Sequence, residues 1–328
     1  MNITEIAKLA GVSKAAVSRY FNGGYLSAEK SEAVRRVVEQ TGYEPNVQAQ
    51  MLRRQRTRQI GVVLPKLSSE SCARVTDGIS SVLSGYGYQL MLANTANDPS
   101  KEIAYLDLLR RHHVEGVIFL ASIFTPEHDS VLKNMHIPVV IVGQRHAGYN
   151  CVYHDDRGAA EAVTSLMLRH GCRRPGYIGV TAKDHAAGYE RLQGYLQALK
   201  AAGLHAQERF MKTAAFNMDA GYEKAKELLC ERERPDGIFC ATDNIAVGAM
   251  QYCRKTGLRI PQDVMVAGIG DSRMAQVTAV PLTSAHLFYK TSGEEAAQMM
   301  LTLLQKHTSG TRSLQLGFQV AERESTHR

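Results

Sequence analysis

Near the start of the chain, basic side chains and small side chains recur at the spacing of one helix face. The stretch Ile3 to Asn22, ITEIAKLAGVSKAAVSRYFN, predicts two short helices joined by a tight turn. The second helix would leave these residues facing outward: Lys14, Ala15, Ser18 and Arg19. Basic side chains bind phosphates and base acceptors, and small side chains let a helix approach base edges closely. The pattern therefore favours a helix that lies in a DNA major groove, although a helical hairpin that merely packs on its neighbours gives a similar pattern.

Local signals indicate where these helices begin and end. Asn2 can cap the first helix, and Glu5 completes a capping box three residues later. Gly11 stands where a helix C-terminus needs a positive φ, and Ser13 can cap the second helix. These signals predict a helix-turn-helix unit.

Apolar positions predict how this unit packs. The first helix has a stripe of Ile6, Leu9 and Ala10, and the second turns Ala16, Val17 and Tyr20 or Phe21 inward. A third helix, capped by Ser27 and running to about Thr41, supplies Ala33, Val34, Val37 and Val38. Together they predict a small three-helix core.

Positive charge is concentrated in the same region. Ten Lys and Arg against five Asp and Glu precede residue 59, so +5 of the total net charge of +7 lies in about a sixth of the chain. This asymmetry indicates a polyanion-binding head on a near-neutral body.

The whole chain has 328 residues, of which 44% are hydrophobic and 22% charged. This composition is typical of a soluble globular protein with two or three domains. No apolar run reaches the roughly 20 residues of a membrane span, and the N-terminus has no secretory signal pattern. Six cysteines without a C-x-x-C pair indicate free thiols in a reducing cytoplasm.

The segments AKLAGVSKAAVSR and YLSAEKSEAVRRVVEQTGYEPNVQAQML resemble the headpiece of the lactose/galactose repressor family of bacterial transcriptional regulators. The resemblance implies a DNA-binding headpiece at residues 1–45 and a hinge helix with its linker at 46–58. It implies operator contacts by Thr4, Ser13, Lys14, Ala15, Ala16, Ser18, Arg19, Asn22, Tyr25, Ser27, Asn46, Ala49, Leu52 and Arg53.

The segment NVQAQMLR, residues 46–53, is compatible with a flexible linker. By resemblance it is instead a hinge helix that orders on operator binding and enters the minor groove, where Leu52 would wedge a base step. Ala49 is small enough to let two such helices approach, and Arg53 would follow the phosphates. The resemblance therefore implies a dimer on a pseudo-palindromic operator.

From residue 59 the pattern changes to alternating strands and helices, which predicts parallel sheets covered by helices on both faces. The pattern runs twice, so we expect two doubly wound subdomains. The resemblance implies a periplasmic-binding-protein-like effector and dimerisation domain at 59–328. Its N-subdomain would comprise about 59–156 plus 286–312, and its C-subdomain about 157–285 plus 313–328.

Ligands of open α/β sheets bind at the carboxyl ends of the strands, and two facing halves enclose a cleft there. Sugars need multi-donor and carboxylate partners and an aromatic face. The resemblance makes Arg191 a sugar-binding arginine, Asp243 part of an Asn-Asp loop and Tyr289 a cleft aromatic. The complete set of effector-binding candidates is Lys66, Ser69, Ser122, Gln144, Arg145, Arg191, Asp243, Asp271 and Tyr289.

Two departures from the family pattern bear on the effector. Thr242 stands where Asn is usual, and Ile269 and Gly270 interrupt the aromatic-Asp pattern before Asp271. They indicate a hydroxyl pattern other than that of lactose, and GIGDS is similar to sucrose- and trehalose-type regulators. A phosphorylated sugar could be held by Lys66, Arg145 and Arg191.

No G-x-G-x-x-G, Walker-type or G-x-S-x-G motif is placed to do chemistry. The histidines, including His112 and His113, lack metal-ligand spacing. Asp155 and Asp156 could bind a cation, but by resemblance an acid at this crossover is structural. We therefore expect no enzymatic activity, no metal and no cofactor.

The sequence predicts a repressor that leaves its operator when a sugar or sugar phosphate binds the cleft. In one alternative, a ligand or a partner protein acts as corepressor. In another, the chain is a sugar-binding module or enzyme with incidental N-terminal helices. The segment AERESTHR carries no leucine heptad, which favours a dimer over a tetramer.

Overall fold

The computed structural model describes residues 1–43, 57–230, 232–305 and 310–328, and divides the chain into two units, Met1–Thr57 and Arg58–Arg328. The N-terminal unit, here called the headpiece, contains α1 (Ile3–Leu9), α2 (Lys14–Phe21) and α3 (Ala28–Thr41). The predicted hinge residues Asn46, Ala49, Leu52 and Arg53 lie outside the described residues.

The predicted caps of the first two helices are present. The Asn2 side chain accepts the N–H groups of Thr4 and Glu5 at 2.9 and 3.1 Å, and the Glu5 carboxylate accepts the Asn2 N–H at 3.0 Å. Ser13 Oγ accepts the Ala16 N–H at 3.2 Å. Ser27 precedes α3, but its side chain makes no capping hydrogen bond, so that detail of the prediction was wrong.

The headpiece core centres on Ile6, Val17 and Val34, each fully buried. Leu9 was expected in the core but is 60% exposed. In α1 the buried face is centred on Ile6 and Ala7, so a residue two positions beyond Ala7 falls on the flank. The core is therefore narrower than the sequence stripe predicted.

The second unit contains two six-stranded sheets. The first, the sheet of the N-subdomain, is entirely parallel, in the order β11-β5-β4-β3-β1-β2; the second, that of the C-subdomain, has the order β12-β10-β9-β8-β6-β7, with only β12 antiparallel. The strands are β1 (Gln59–Leu64), β2 (Gln89–Asn94), β3 (Gly116–Leu120), β4 (Val139–Val142), β5 (Asn150–His154), β6 (Pro175–Gly179), β7 (Met211–Thr213), β8 (Gly237–Cys240), β9 (Met265–Ile269), β10 (Thr283–Leu287), β11 (Ser313–Leu316) and β12 (Phe318–Ala321).

Helices cover both faces of each sheet, as the continuous apolar runs of the strands require. They are α4 (Glu70–Leu83), α5 (Pro99–Arg111), α6 (Pro126–Lys133), α7 (Asp156–Arg169), α8 (Arg191–Ala201), α9 (Met218–Leu229), α10 (Asp243–Thr256), α11 (Arg273–Val277) and α12 (Tyr289–Gln305). In the N-subdomain α4 and α12 pack on one face and α5 and α6 on the other. In the C-subdomain α9 and α10 oppose α7 and α8.

The chain crosses between the subdomains three times. The crossings fall between β5 and α7, between β10 and α12, and between β11 and β12. The last differs from the predicted boundary, because residues 313–316 pair with β5 in the N-subdomain instead of joining the C-subdomain. Gly317 separates β11 from β12, so the return to the C-subdomain occurs a full strand later than the sequence indicated.

Candidate functional site

The outer face of α2 has the predicted composition. Lys14, Ala15 and Arg19 are exposed and Ser18 is half-buried. Asn22 at the end of α2 donates its side-chain amide to the Ser18 carbonyl at 2.6 Å and to Ser18 Oγ at 3.3 Å. The helix thus offers two cations and small side chains on one solvent-facing surface.

The other predicted operator contacts fall into two groups within the described residues. Thr4, Ser13, Asn22, Tyr25 and Ser27 are exposed, and Tyr25 is 92% exposed. Ala16 is buried in the headpiece, so its side chain offers little surface, and its operator contact stays a prediction.

A loop at the carboxyl end of a strand in the N-subdomain contacts a loop at the carboxyl end of a strand in the C-subdomain, where the cleft was predicted. Ile123, after β3, forms an isolated antiparallel bridge with Asp184, which follows β6. Asp184 is buried, and its carboxylate accepts the Ala187 N–H at 2.9 Å. Burial raises the pKa of Asp184 to about 6, because the charged form loses hydration.

A second contact across the cleft joins α4 to the loop after β9, and is here called the closure contact. Arg74 donates to the carbonyls of Gly270 and Asp271 at 3.4 and 3.0 Å. Glu70 accepts the Arg273 N–H at 3.1 and 3.2 Å. Arg74 also donates to Glu70 at 2.6 Å, so the two side chains form one ion pair that binds backbone groups of the opposite loop.

Arg191 lies at the start of α8 and is buried. Its Nε donates to Asp156 Oδ1 at 2.8 Å, another of its nitrogens lies 2.7 Å from the same oxygen, and a third donates to the Ala241 carbonyl. Burial disfavours its charge, but Asp156 and Tyr289 together outweigh this and raise the pKa of Arg191. The side chain is thus fixed beside the crossovers, where Tyr289 also contacts it.

Beside this pair, His154 ends β5 and packs edge-to-face on Tyr289, with ring centroids 5.2 Å apart. Burial lowers the pKa of His154 and keeps the ring neutral. Its Nε2 atom is buried without a hydrogen-bond partner among the described residues. A buried nitrogen of this kind normally has a partner, and sequence reasoning did not identify His154 because one histidine at a strand end carries no distinctive spacing.

The two predicted acidic residues after β8 and β9 are joined by one serine. Asp243 is buried; it accepts Ser284 Oγ at 2.6 Å and the Ser272 N–H at 2.6 Å. Burial raises the pKa of Asp243. Ser284 Oγ in turn accepts the Asp271 N–H at 3.0 Å, so Asp243 holds the loop that carries Asp271.

Asp271 itself binds an arginine and a histidine. Arg323 donates to Oδ1 at 2.5 Å, and His286 Nδ1 lies 3.0 Å from Oδ2. Burial opposes ionisation, but Arg323 holds the pKa of Asp271 below its ordinary value. Protein donors therefore occupy both acids, and a direct bond from either one to an effector stays a prediction.

The remaining candidates follow the carboxyl ends of strands in the N-subdomain. Gln144 donates to the Ser122 carbonyl at 3.0 Å, and Ser122 Oγ lies 3.5 Å from buried Glu102. Ser69 Oγ contacts Ser71 Oγ at 2.8 Å. Lys66 and Arg145 follow β1 and β4, and neither forms an ion pair with any residue that the structure describes.

Gly270 explains one departure from the family pattern. Its φ is +136°, which disfavours every residue with a side chain. A Cβ there would lie 3.4 Å from Asp243 Oδ2. A second carboxylate at this position would thus be strained and would meet another acid.

None of the helices in the described parts of the chain has the length and apolar character that a membrane span needs.

Two family models match the chain. Residues 2–46 match the model "Bacterial regulatory proteins, lacI family", and residues 164–326 match "Periplasmic binding protein-like domain". Together they cover almost the whole headpiece and most of the C-subdomain.

Similar proteins of known role are transcriptional repressors. The HTH-type transcriptional repressor PurR of Pectobacterium carotovorum subsp. carotovorum (strain PC1) is 30% identical over 305 residues, which cover 91% of this chain and 89% of the repressor. The sucrose operon repressor of Staphylococcus xylosus is 29% identical over 304 residues, which cover 93% of this chain and 94% of that protein.

Solved structures agree. The transcriptional regulator CelR in complex with cellobiose is 30% identical, with a TM-score of 0.76 over 99% of each chain. The lac repressor dimer bound to operator and the anti-inducer ONPF has a TM-score of 0.89 over 99% of each chain at 20% identity, which bears on the fold alone.

Proposed function

The chain belongs to the LacI family of bacterial regulatory proteins, and from this premise we propose that it is a homodimeric repressor that leaves its operator when a sugar binds the cleft. The observation that carries the proposal is the capped helix α2, whose exposed face presents Lys14, Ala15 and Arg19. The relatives are transcriptional regulators and not enzymes. We further propose that this chain binds its effector in the cytoplasm without turning it over.

The operator contact supports a specific experiment. Duplexes selected from a random library are titrated with the full chain and followed by fluorescence anisotropy. Replacing Arg19 by Ala should weaken binding to the selected site by about 5- to 150-fold, because one good bidentate side-chain contact to a base contributes about 1–3 kcal/mol.

Arg35→Ala is the matched control. Arg35 is an exposed headpiece cation, but Glu32 and Glu39 bind it at 2.6 Å each, so its loss should change affinity little. Equal losses in the two variants would mean that only net charge matters. A chain that selects no duplex would contradict the proposal.

The cleft supports a sugar-sized, hydroxylated effector. Lys66 and Arg145 stand at strand ends without a described ion-pair partner, and cations of this kind can bind hydroxyls or a phosphate. CelR binds cellobiose, and by analogy we propose a mono- or disaccharide, free or phosphorylated. A thermal-shift panel of these compounds tests the proposal, since a ligand that binds the native state raises Tm.

The sign of the response is a separate question. A ligand changes operator affinity only by its different affinities for the two arrangements of the protein. An inducer weakens operator binding in the anisotropy titration, and a corepressor, which remains the alternative, tightens it. Turnover of a bound sugar would instead revive the enzyme alternative.

An exposed apolar groove of about 580 Å³ beside α4 and β2 supports dimerisation. Leu67 and Leu92 line it and are 58% and 47% exposed. Strand β2 is the edge of its sheet, and an exposed edge with apolar neighbours calls for a cover. We propose that a second copy of the chain supplies it, which would also pair two headpieces on one operator.

A further inference from the structure

At the far end of the C-subdomain, three metal-ligating side chains converge that are distant in sequence. His170 follows α7, and Glu322 and His327 lie in the segment after β12. His170 Nε2 lies 3.3 Å from Glu322 Oε1, and His327 Nε2 lies 2.9 Å from the same oxygen. The ligand atoms all fall within 4.8 Å of one another, which is close enough for a single ion.

The hydrogen bond on the other side of the His170 ring fixes its tautomer. Its Nδ1 lies 2.8 Å from the Thr326 carbonyl oxygen. A carbonyl only accepts, so Nδ1 must carry a proton. In the neutral ring Nε2 then presents a lone pair to the Glu322 carboxylate, and two acceptors face each other. A cation between them removes this repulsion.

The same bond is the usual support of a metal-binding histidine. Such a histidine normally donates its second ring nitrogen to a carbonyl or carboxylate, which orients the ring and raises its basicity. Two histidines and one glutamate form a common zinc ligand set. Bonds of about 2.0–2.1 Å at tetrahedral angles place neighbouring ligand atoms about 3.3 Å apart, which is close to the separation of His170 Nε2 and Glu322 Oε1.

The backbone around the three residues is anchored independently. Ser325 and Thr326 are fully buried; Ser325 Oγ donates to the Val266 carbonyl at 2.6 Å, and the hydroxyls of Thr326 and Thr283 lie 2.7 Å apart. Glu322 and His327 flank this anchored turn. An ion would therefore find its ligands already in place, with little ordering cost.

We propose that His170, Glu322 and His327 bind one divalent transition-metal ion of the Zn²⁺ class. The side chains are 26%, 38% and 56% exposed, so the ion has an entry path and its fourth position faces water. The site is removed from the effector cleft, because α7, 14 residues long and thus about 21 Å, begins at the crossover and ends beside His170. The ion fastens the C-terminal segment to α7 and stabilises the C-subdomain.

Metal titration of the chelator-treated full chain tests the proposal. Isothermal titration with ZnCl₂ should give one bound ion per chain. Thermal unfolding in the presence of ZnCl₂ should show a higher Tm than in its absence. Co²⁺ should give the visible absorption of a tetrahedral site with nitrogen and oxygen ligands. Glu322→Gln and His327→Gln should each weaken Zn²⁺ binding at least about 10-fold, since even outer-sphere changes cost 10- to 100-fold.

His205→Gln, which changes an exposed histidine in the same subdomain, is the matched control and should bind Zn²⁺ like the parent chain. Circular dichroism of the metal-free variants establishes that they are folded. If the parent chain binds no Zn²⁺ saturably, a proton alone bridges His170 and Glu322, and the proposal is overturned. Equal affinity in the parent and in both ligand variants overturns it as well.

Discussion

At the scale of single residues, charged side chains at the predicted cleft are already bonded to other groups of the protein. Arg191 binds Asp156, Asp243 binds Ser284, and Asp271 binds Arg323. Residue type and position at a strand end were readable from the sequence, but the partner of each charge was not, because every partner comes from a distant part of the chain. These buried charges position the crossovers and loops, and a change at them affects stability before it affects any ligand.

The Asp156–Arg191 pair allows a direct stability prediction. Asp156→Asn leaves a buried guanidinium without its counter-charge, and we expect a loss of about 3–5 kcal/mol in the free energy of unfolding. Urea unfolding of the parent and variant chains measures it. The double variant Asp156→Leu/Arg191→Met should recover most of the loss, since a buried apolar pair replaces the ion pair. A single variant as stable as the parent would contradict this account.

Asp184 yields a pH prediction. Its pKa is raised from 3.8 to about 6 by burial, so the unfolded chain binds fewer protons than the folded one between these values. Stability from this group is present below pH 3.8 and is lost as pH rises through about 6. The loss is at most about 3 kcal/mol, from roughly two pKa units.

Asp184→Asn keeps an acceptor for the Ala187 N–H and removes the charge. The variant should be more stable than the parent at about pH 7.5, and this advantage should shrink towards about pH 4.5. Thermal unfolding at both pH values measures the difference. An advantage that is the same at both values would show that the carboxylate is already hydrated in the folded chain.

At the scale of elements, the sequence predicted the three headpiece helices and the alternation of strands and helices that runs twice from residue 59. Periodicity is local and strong in these segments, whereas the failures concern packing. Leu9 falls on the flank of α1 because the core contact is centred on Ile6 and Ala7. Residues 313–316 read equally well as a strand of either sheet, and only their pairing with β5 places them in the first.

The closure contact escaped the sequence analysis for the same reason. Glu70 and Arg74 read as an ordinary surface pair four residues apart on a helix. Their second partners are backbone groups of the loop at Gly270–Arg273, about 200 positions away. Only the fold brings α4 to that loop, so the contact could not be foreseen from spacing.

Removing the closure contact should favour an open arrangement of the two subdomains. Arg74→Ala loses one or two partly exposed hydrogen bonds across the cleft, so we expect a ligand that binds the closed arrangement to bind about 3- to 10-fold more weakly. Small-angle scattering of the ligand-free chain should show a larger radius of gyration. Arg110→Ala is the control, because among the described residues Arg110 pairs only with Asp107 on its own helix. The same change in both variants would exclude a closing role for Arg74.

At the scale of the whole molecule, the proposed control of DNA by a sugar requires two chains. A single short recognition helix binds DNA weakly, and two headpieces on one duplex gain affinity through their linkage. The effector domain can alter this gain only if the dimer interface transmits subdomain closure to the headpieces. The groove beside α4 is well placed for that role, because α4 carries the closure contact on Glu70 and Arg74 and also lines the groove.

Leu92→Glu tests this coupling. The charge would be buried twice in a two-fold interface, so we expect the dimer dissociation constant to rise by about 100-fold or more. Analytical ultracentrifugation over a concentration series measures it. Leu108→Glu is the matched control: Leu108 is 43% exposed, on α5 and outside the groove, and this variant should remain dimeric. The Leu92→Glu chain should also lose operator affinity. The effector should still raise the Tm of the monomer, because the cleft lies within one chain. A variant that stays dimeric would place the interface elsewhere, and a monomer with unchanged operator affinity would show that the headpiece does not need its partner.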